Sequence, residues 1–136
     1  MKKSFNILVI RSEKNELRKV ELFLNKVFEE NNLPSQQFNR VLLCISEAVV
    51  NSIDHGNKND TGKNVFIEVE CYSDCISIKI SDEGDGFDYR KIKDPTLQSN
   101  LKAETGRGIH IIKSLADEFN YNDKGKSVCF KVSVSE

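Results

Sequence analysis

The chain has 136 residues, 38% of them hydrophobic and 30% charged, a size and balance that fit one globular domain around one core. Twenty basic against 21 acidic side chains leave a formal charge of −1, without the basic excess that draws a domain to nucleic-acid phosphates. The opening apolar run stops at Arg11, too short for a signal-peptide core or a membrane span, which implies a cytoplasmic protein that begins with a strand.

In chain order, Phe5 to Ile10 is short, apolar and β-branched, and reads as the first strand. Ser12 is placed to cap a helix running to about Asn32, with Leu17, Val20, Leu24, Val27 and Phe28 on its buried stripe. Pro34 breaks the chain before a second helix, about Ser35 to His55. There Phe38, Val41, Leu42, Ile45, Ala48, Val49 and Ile53 fall on one face, and Arg40, Cys44, Glu47, Asn51 and His55 on the other. Gly56 reads as the helix C-cap, followed by Asn57.

Val65 to Glu70 and Ile76 to Ile80 alternate apolar and polar residues around Tyr72-Ser73-Asp74, the pattern of an antiparallel hairpin with one buried face. Asp82-Glu83-Gly84-Asp85-Gly86 ends the second of these strands, and Phe87 to Glu104 follows as a polar loop of functional length. Thr105-Gly106-Arg107-Gly108 opens a third helix from Ile109 to about Leu115. A last hairpin, Glu118 to Tyr121 and Ser127 to Val134, turns at Asn122-Asp123-Lys124-Gly125. This order predicts a single α+β domain over 1–136: a two-layer sandwich with helices on one face of a mixed, largely antiparallel sheet. Cys44, Cys71, Cys75 and Cys129 lie within apolar segments and read as buried thiols, with no second pair to complete a zinc site around Cys71 and Cys75.

Three clusters can carry chemistry. Glu47, Asn51 and His55 recur every fourth residue on the polar stripe, where a carboxylate and an amide can offer oxygen to a hard cation such as Mg²⁺; a solvated helix face has the same pattern, and His55 alone suits a helix end. Asp82, Gly84 and Gly86 follow a strand, where the glycines let a flat ligand approach the backbone and Asp82 can accept from its amino group; a plain Asp/Gly turn is the alternative. Gly106, Arg107 and Gly108 stand at a helix start, where free N–H groups favour phosphate, although no Walker pattern is present.

Taken together, ExxxNxxxHGN at 47–57, DEGDGFD at 82–88 and TGRGI at 105–109 resemble the N, G1 and G2 boxes of the GHKL superfamily of ATPases and kinases. The likeness extends to Asp94-Pro95-Thr96 and to Gly125-Lys126-Ser127-Val128, and the short form with HGN is most similar to the anti-sigma-factor serine kinases. The resemblance implies a Bergerat-type ATP-binding fold. It also implies that Asn51 coordinates Mg²⁺, that Asp82 accepts a hydrogen bond from the adenine amino group, and that Gly86 lets the ring pass close to the backbone. Ser127 would lie near that Asp, Gly106 and Gly108 would bind the phosphates, 87–104 would form an ATP lid, and Glu47 would be the general base. Arg107 and Lys102 are candidates for a γ-phosphate contact.

The expected function is then a serine/threonine protein kinase that phosphorylates a small antagonist protein and binds a sigma factor, with a homodimer allowed by the family and no membrane or nucleic-acid partner. An ATP-dependent binding module without transfer, and a structural domain with coincidental boxes, are the alternatives.

Overall fold

The computed structural model of the protein describes residues 2–84, 110–122 and 126–134. Its strands are β1 at Lys2–Arg11, β2 at Asn64–Tyr72, β3 at Cys75–Asp82, β4 at Glu118–Asn122 and β5 at Ser127–Ser133. They form one sheet in the order β1-β2-β3-β5-β4, and all four pairings are antiparallel. The expected α+β sandwich is present, and the described strands include no parallel pair.

The period of two sorts the side chains. Val65, Ile67, Val69 and Cys71 of β2 and Ile76, Ile78 and Ile80 of β3 are buried on one face. Register stacks them into cross-strand rows, Ile67 with Ile80 and Val128, and Val69 with Ile78 and Phe130. Two helices supply the second half of the core: α1 (Leu17–Glu30) through Val20, Leu24, Val27 and Phe28, and α2 (Phe38–Asn51) through Val41, Ile45, Ala48 and Val49. Burial of each large aliphatic side chain contributes roughly 1.5–3 kcal/mol. Phe28 meets Phe38 edge-to-face at 5.2 Å between ring centroids, which fixes the end of α1 against the start of α2.

The same alternation carries past the last apolar residue of β3. Asp82, two residues after Ile80, stays on the helix-covered face opposite Val65. The other face of the sheet is open along β1, where Phe5, Ile7 and Val9 are 49%, 53% and 47% exposed.

Helix ends depart from the sequence reading in three places. Ser12 does not cap α1: a 3-10 turn at Lys14–Glu16 precedes the helix, while the Ser12 hydroxyl donates to the Lys63 carbonyl at 2.8 Å. α1 stops at Glu30 because Asn32 takes a left-handed φ of 52°, and the Leu33 N–H returns to the Phe28 carbonyl at 3.0 Å. α2 starts after a 3-10 turn at Ser35–Gln37 and gives way at Ser52 to a π turn, Ser52–Gly56. Gly56 is therefore not a left-handed cap; the left-handed residues are Lys58 and Asn59.

Candidate functional site

A narrow cleft opens between the end of α2 and strands β3 and β5, lined by Ala48, Asn51, Ser52, Ile80, Asp82, Tyr121, Lys126, Ser127 and Val128. Its volume is about 10 Å³, room for a single water. A flat ring can therefore enter only if a lining side chain moves, and Lys126 stands exposed at the rim. A larger groove of about 420 Å³ lies between the end of α1 and the start of α2, around Phe28, Leu33 and Phe38. The polar candidates Asn51, Asp82 and Ser127 line the smaller cleft.

Asn51 is only 6% exposed, and its side-chain nitrogen has no hydrogen-bond partner among the described residues. Leaving such a group dry and unpaired costs roughly 1–3 kcal/mol, so a native chain keeps one where something else uses it. Asp82 faces the same cleft. Burial pushes its carboxyl above the ordinary 3.8, against the opposing pull of the Gly84 N–H, Lys126, Lys63 and the Ser52 side chain. The Gly84 N–H donates to Asp82 Oδ1 at 2.9 Å. The result is a partly desolvated acceptor held in a fixed direction.

The glycines around Asp82 serve close packing. A Cβ on Gly56 would stand 2.2 Å from Asp82 Oδ2, and one on Gly84 would stand 1.7 Å from the Gly56 carbonyl oxygen. Gly84, expected to admit a ligand, spends its missing side chain on this backbone contact. Gly84→Ala is expected to lower stability by about 2 kcal/mol or more, because backbone must move to admit the methyl group. An unchanged urea midpoint would show that the turn relaxes freely.

The expected stripe on α2 divides. Glu47 stands half-buried one turn before Asn51 on the same side of the helix, but does not line the cleft. A π turn, closed by the Asn57 N–H on the Ser52 carbonyl at 2.7 Å, follows Asn51, and His55 within it is not among the residues that line the cleft. Cys44, read as a buried thiol although it shares the polar stripe, is fully buried, and burial raises its thiol to about 11. Cys71 is buried as expected, whereas Cys75 and Cys129 are half-buried.

Ser127 lines the cleft beside Asp82. Gly86, Lys102, Gly106, Arg107, Gly108 and the lid segment 87–104 lie outside the described residues. Among the described residues no group of three or more His, Cys, Asp or Glu is arranged to hold a metal ion. Asn51 offers a single amide, whose oxygen and nitrogen ends exchange by a flip. That suits Mg²⁺ held by one protein oxygen together with phosphates and waters.

A profile of the histidine kinase-like ATPase domain matches residues 10–132, a span that contains every lining residue of the cleft. The chain belongs to the histidine kinase-like ATPase family. Similar proteins include the serine-protein kinase RsbW of Staphylococcus aureus strains MSSA476 and MW2, each 31% identical over 117 residues, 80% of this chain and 74% of the relative. The crystal structure of the RsbU and RsbW domains of Rv1364c from Mycobacterium tuberculosis matches with a TM-score of 0.63 at 15% identity, over 96% of this chain and 31% of that one. That likeness is one of fold, and this chain spans about a third of the longer protein's length.

Within this histidine kinase-like ATPase domain, several residues of the site escape a reading of motifs. Ser52, in the π turn, lines the cleft with Asp82 and lowers the energy of its charged carboxyl. Arg40, at the far end of the polar stripe, donates from Nε to the Leu115 carbonyl at 2.6 Å and pairs with Asp117 at 3.5 Å. It thereby holds the C-terminal end of the helical segment 110–115 against α2, where a cation also suits the helix dipole. Lys126 and Tyr121 enter the cleft through the last hairpin. Asp82 was marked by its motif, and its strand parity with Ile80 points to the same face; nothing local in the sequence marks Ser52, or the role of Arg40 beyond its place on the polar stripe.

Proposed function

We propose that this ATPase domain is a serine/threonine protein kinase of the anti-sigma-factor type, which binds ATP, phosphorylates a small antagonist protein and binds a sigma factor. The observation that carries the nucleotide reading is the pairing, on the walls of one cleft, of a buried Asn51 amide, whose nitrogen lacks a partner among the described residues, with a desolvated Asp82 carboxyl. The serine-protein kinase name of its RsbW relatives supports the transfer reading.

In this reading Asp82 accepts from the adenine amino group, with Gly84 holding the carboxyl in line and Ser127 beside it, and Gly86 gives the ring room. Asn51 holds Mg²⁺ jointly with the phosphates; the ion neutralises charge on the transferring phosphoryl group. Gly106, Arg107 and Gly108 bind the phosphates, and 87–104 closes over them. Glu47 takes the proton of the attacking hydroxyl. No helix among the described residues is long and apolar enough to cross a membrane, and the proposal places a single domain over 1–136 in the cytoplasm.

The test is transfer of label from γ-labelled ATP, with Mg²⁺, to a serine or threonine of a candidate antagonist. ATP binding without transfer to any such protein favours the alternative, an ATP-dependent binding module. No affinity for ATP removes both.

The homodimer is assigned to the open face of β1. Phe5, Ile7 and Val9 form an exposed apolar row there, alongside Glu70, Glu68 and Phe66 of β2. Ile7→Asp is expected to shift sedimentation from dimer to monomer while the fold persists. An unchanged sedimentation coefficient would take this face out of the assembly.

A further inference from the structure

We propose that Asn57 is a positioning residue for base selection: it sets where Asp82 stands and thereby how strongly an adenine is preferred to a base with a carbonyl at the same position. The inference rests on the nucleotide reading above and adds to it a residue that does not line the cleft.

Asn57 is 1% exposed, and each of its polar groups is engaged. Its amide nitrogen donates to Ser12 Oγ at 2.7 Å and to the Asn64 carbonyl at 2.9 Å. Its side-chain oxygen accepts the Glu83 N–H at 2.8 Å. Its backbone N–H closes the π turn on Ser52, and its backbone carbonyl accepts from the Asp60 N–H at 3.0 Å.

Through its side chain this residue joins the end of β1, the start of β2 and the residue that follows Asp82, and through its backbone N–H the π turn after α2. Glu83 returns the link by accepting the Asn64 N–H at 2.6 Å. Gly84, next in the chain, is pinned against Gly56 and holds the Asp82 carboxyl. With Asn57 removed, the peptide between Asp82 and Gly84 loses its anchor to the helix end, and the carboxyl loses the fixed direction on which a single base contact depends.

A base with a 6-amino donor and one with a 6-carbonyl acceptor differ in how they meet a carboxylate. A correctly aimed Asp82 favours the first and repels the second; a loosely aimed one does neither well. A residue that only stabilises the fold would lower both affinities together by reducing the folded fraction.

The experiment measures binding of ATP and of inosine triphosphate to the folded full chain by calorimetry, for the parent, Asn57→Ala and Ser12→Ala. The preference for ATP is expected to fall about tenfold in Asn57→Ala, the loss of roughly one well-made hydrogen bond. It should stay at the parental ratio in Ser12→Ala, which breaks the same network away from Glu83 and lowers the melting temperature. An unchanged ratio in a folded Asn57→Ala overturns the inference while leaving the nucleotide site intact. A parent with no preference for ATP overturns the Asp82 base contact and this inference with it. If Asn57→Ala does not fold, Asn57→Asp keeps an acceptor for the Glu83 N–H: retention of the preference there supports the inference, and its loss overturns it.

Discussion

Glu47→Gln is expected to bind ATP as tightly as the parent and to lose phosphoryl transfer by about 10²- to 10⁴-fold, the usual contribution of a positioned general base. The expectation follows from where the side chain stands. Glu47 shares the stripe of Asn51 one helical turn away without lining the cleft itself, and in the proposed complex that position lies beside the metal-bound phosphate. Glutamine keeps the volume and removes only the proton acceptor. Single-turnover transfer from γ-labelled ATP measures the first effect and calorimetry the second. Equal transfer by mutant and parent would take Glu47 out of the chemistry, and lost binding would make it a ligand instead.

Asp82→Asn is expected to abolish most nucleotide affinity while leaving the unliganded protein as stable as the parent or more so. Burial raises the Asp82 carboxyl above 3.8, so the folded state holds its proton more tightly than the unfolded chain does. Its contribution to stability is therefore fully present below 3.8 and is lost as pH rises through the raised value. At neutral pH the charged carboxylate is a net cost, which asparagine removes while its oxygen still accepts the Gly84 N–H. Nucleotide affinity runs the other way, because the ionised form is the better acceptor for an amino group: affinity should rise over the pH range in which this contribution to stability falls. Comparing parent and mutant melting temperatures across that range isolates the residue from other carboxyls. A mutant that melts well below the parent at neutral pH, or that binds ATP unchanged, contradicts the assignment.

Much of the fold could be read directly from residue patterns, because the isoleucines and valines of β2 and β3 keep a strict period of two and the core of α2 keeps its helical spacing. Asp82 belonged to that pattern as well: its parity with Ile76, Ile78 and Ile80 placed it on the buried face. The reading failed where two causes share one residue type. Gly56 after a helix reads as a left-handed cap, yet it is small because the Asp82 carboxyl and the Gly84 backbone occupy the space its side chain would need. Ser12 after a strand reads as a cap, yet its hydroxyl serves Lys63 and Asn57 across the sheet end. The π turn has no local signature, since it answers to the bonds of Asn57 rather than to the propensities of residues 52–56.

The fastening of Ser12 to Asn57 has a practical side. Sheet order puts two strands, β2 and β3, between the amino-terminal ribbon and β5, so a protein engineer looking for dispensable sequence would start there. Yet its last hydroxyl is knotted to the asparagine that steadies the far wall of the cleft. Trimming the leading dozen residues would therefore cost stability at the sheet end, while the Asn57–Glu83 bond continues to steady a pocket that none of them lines.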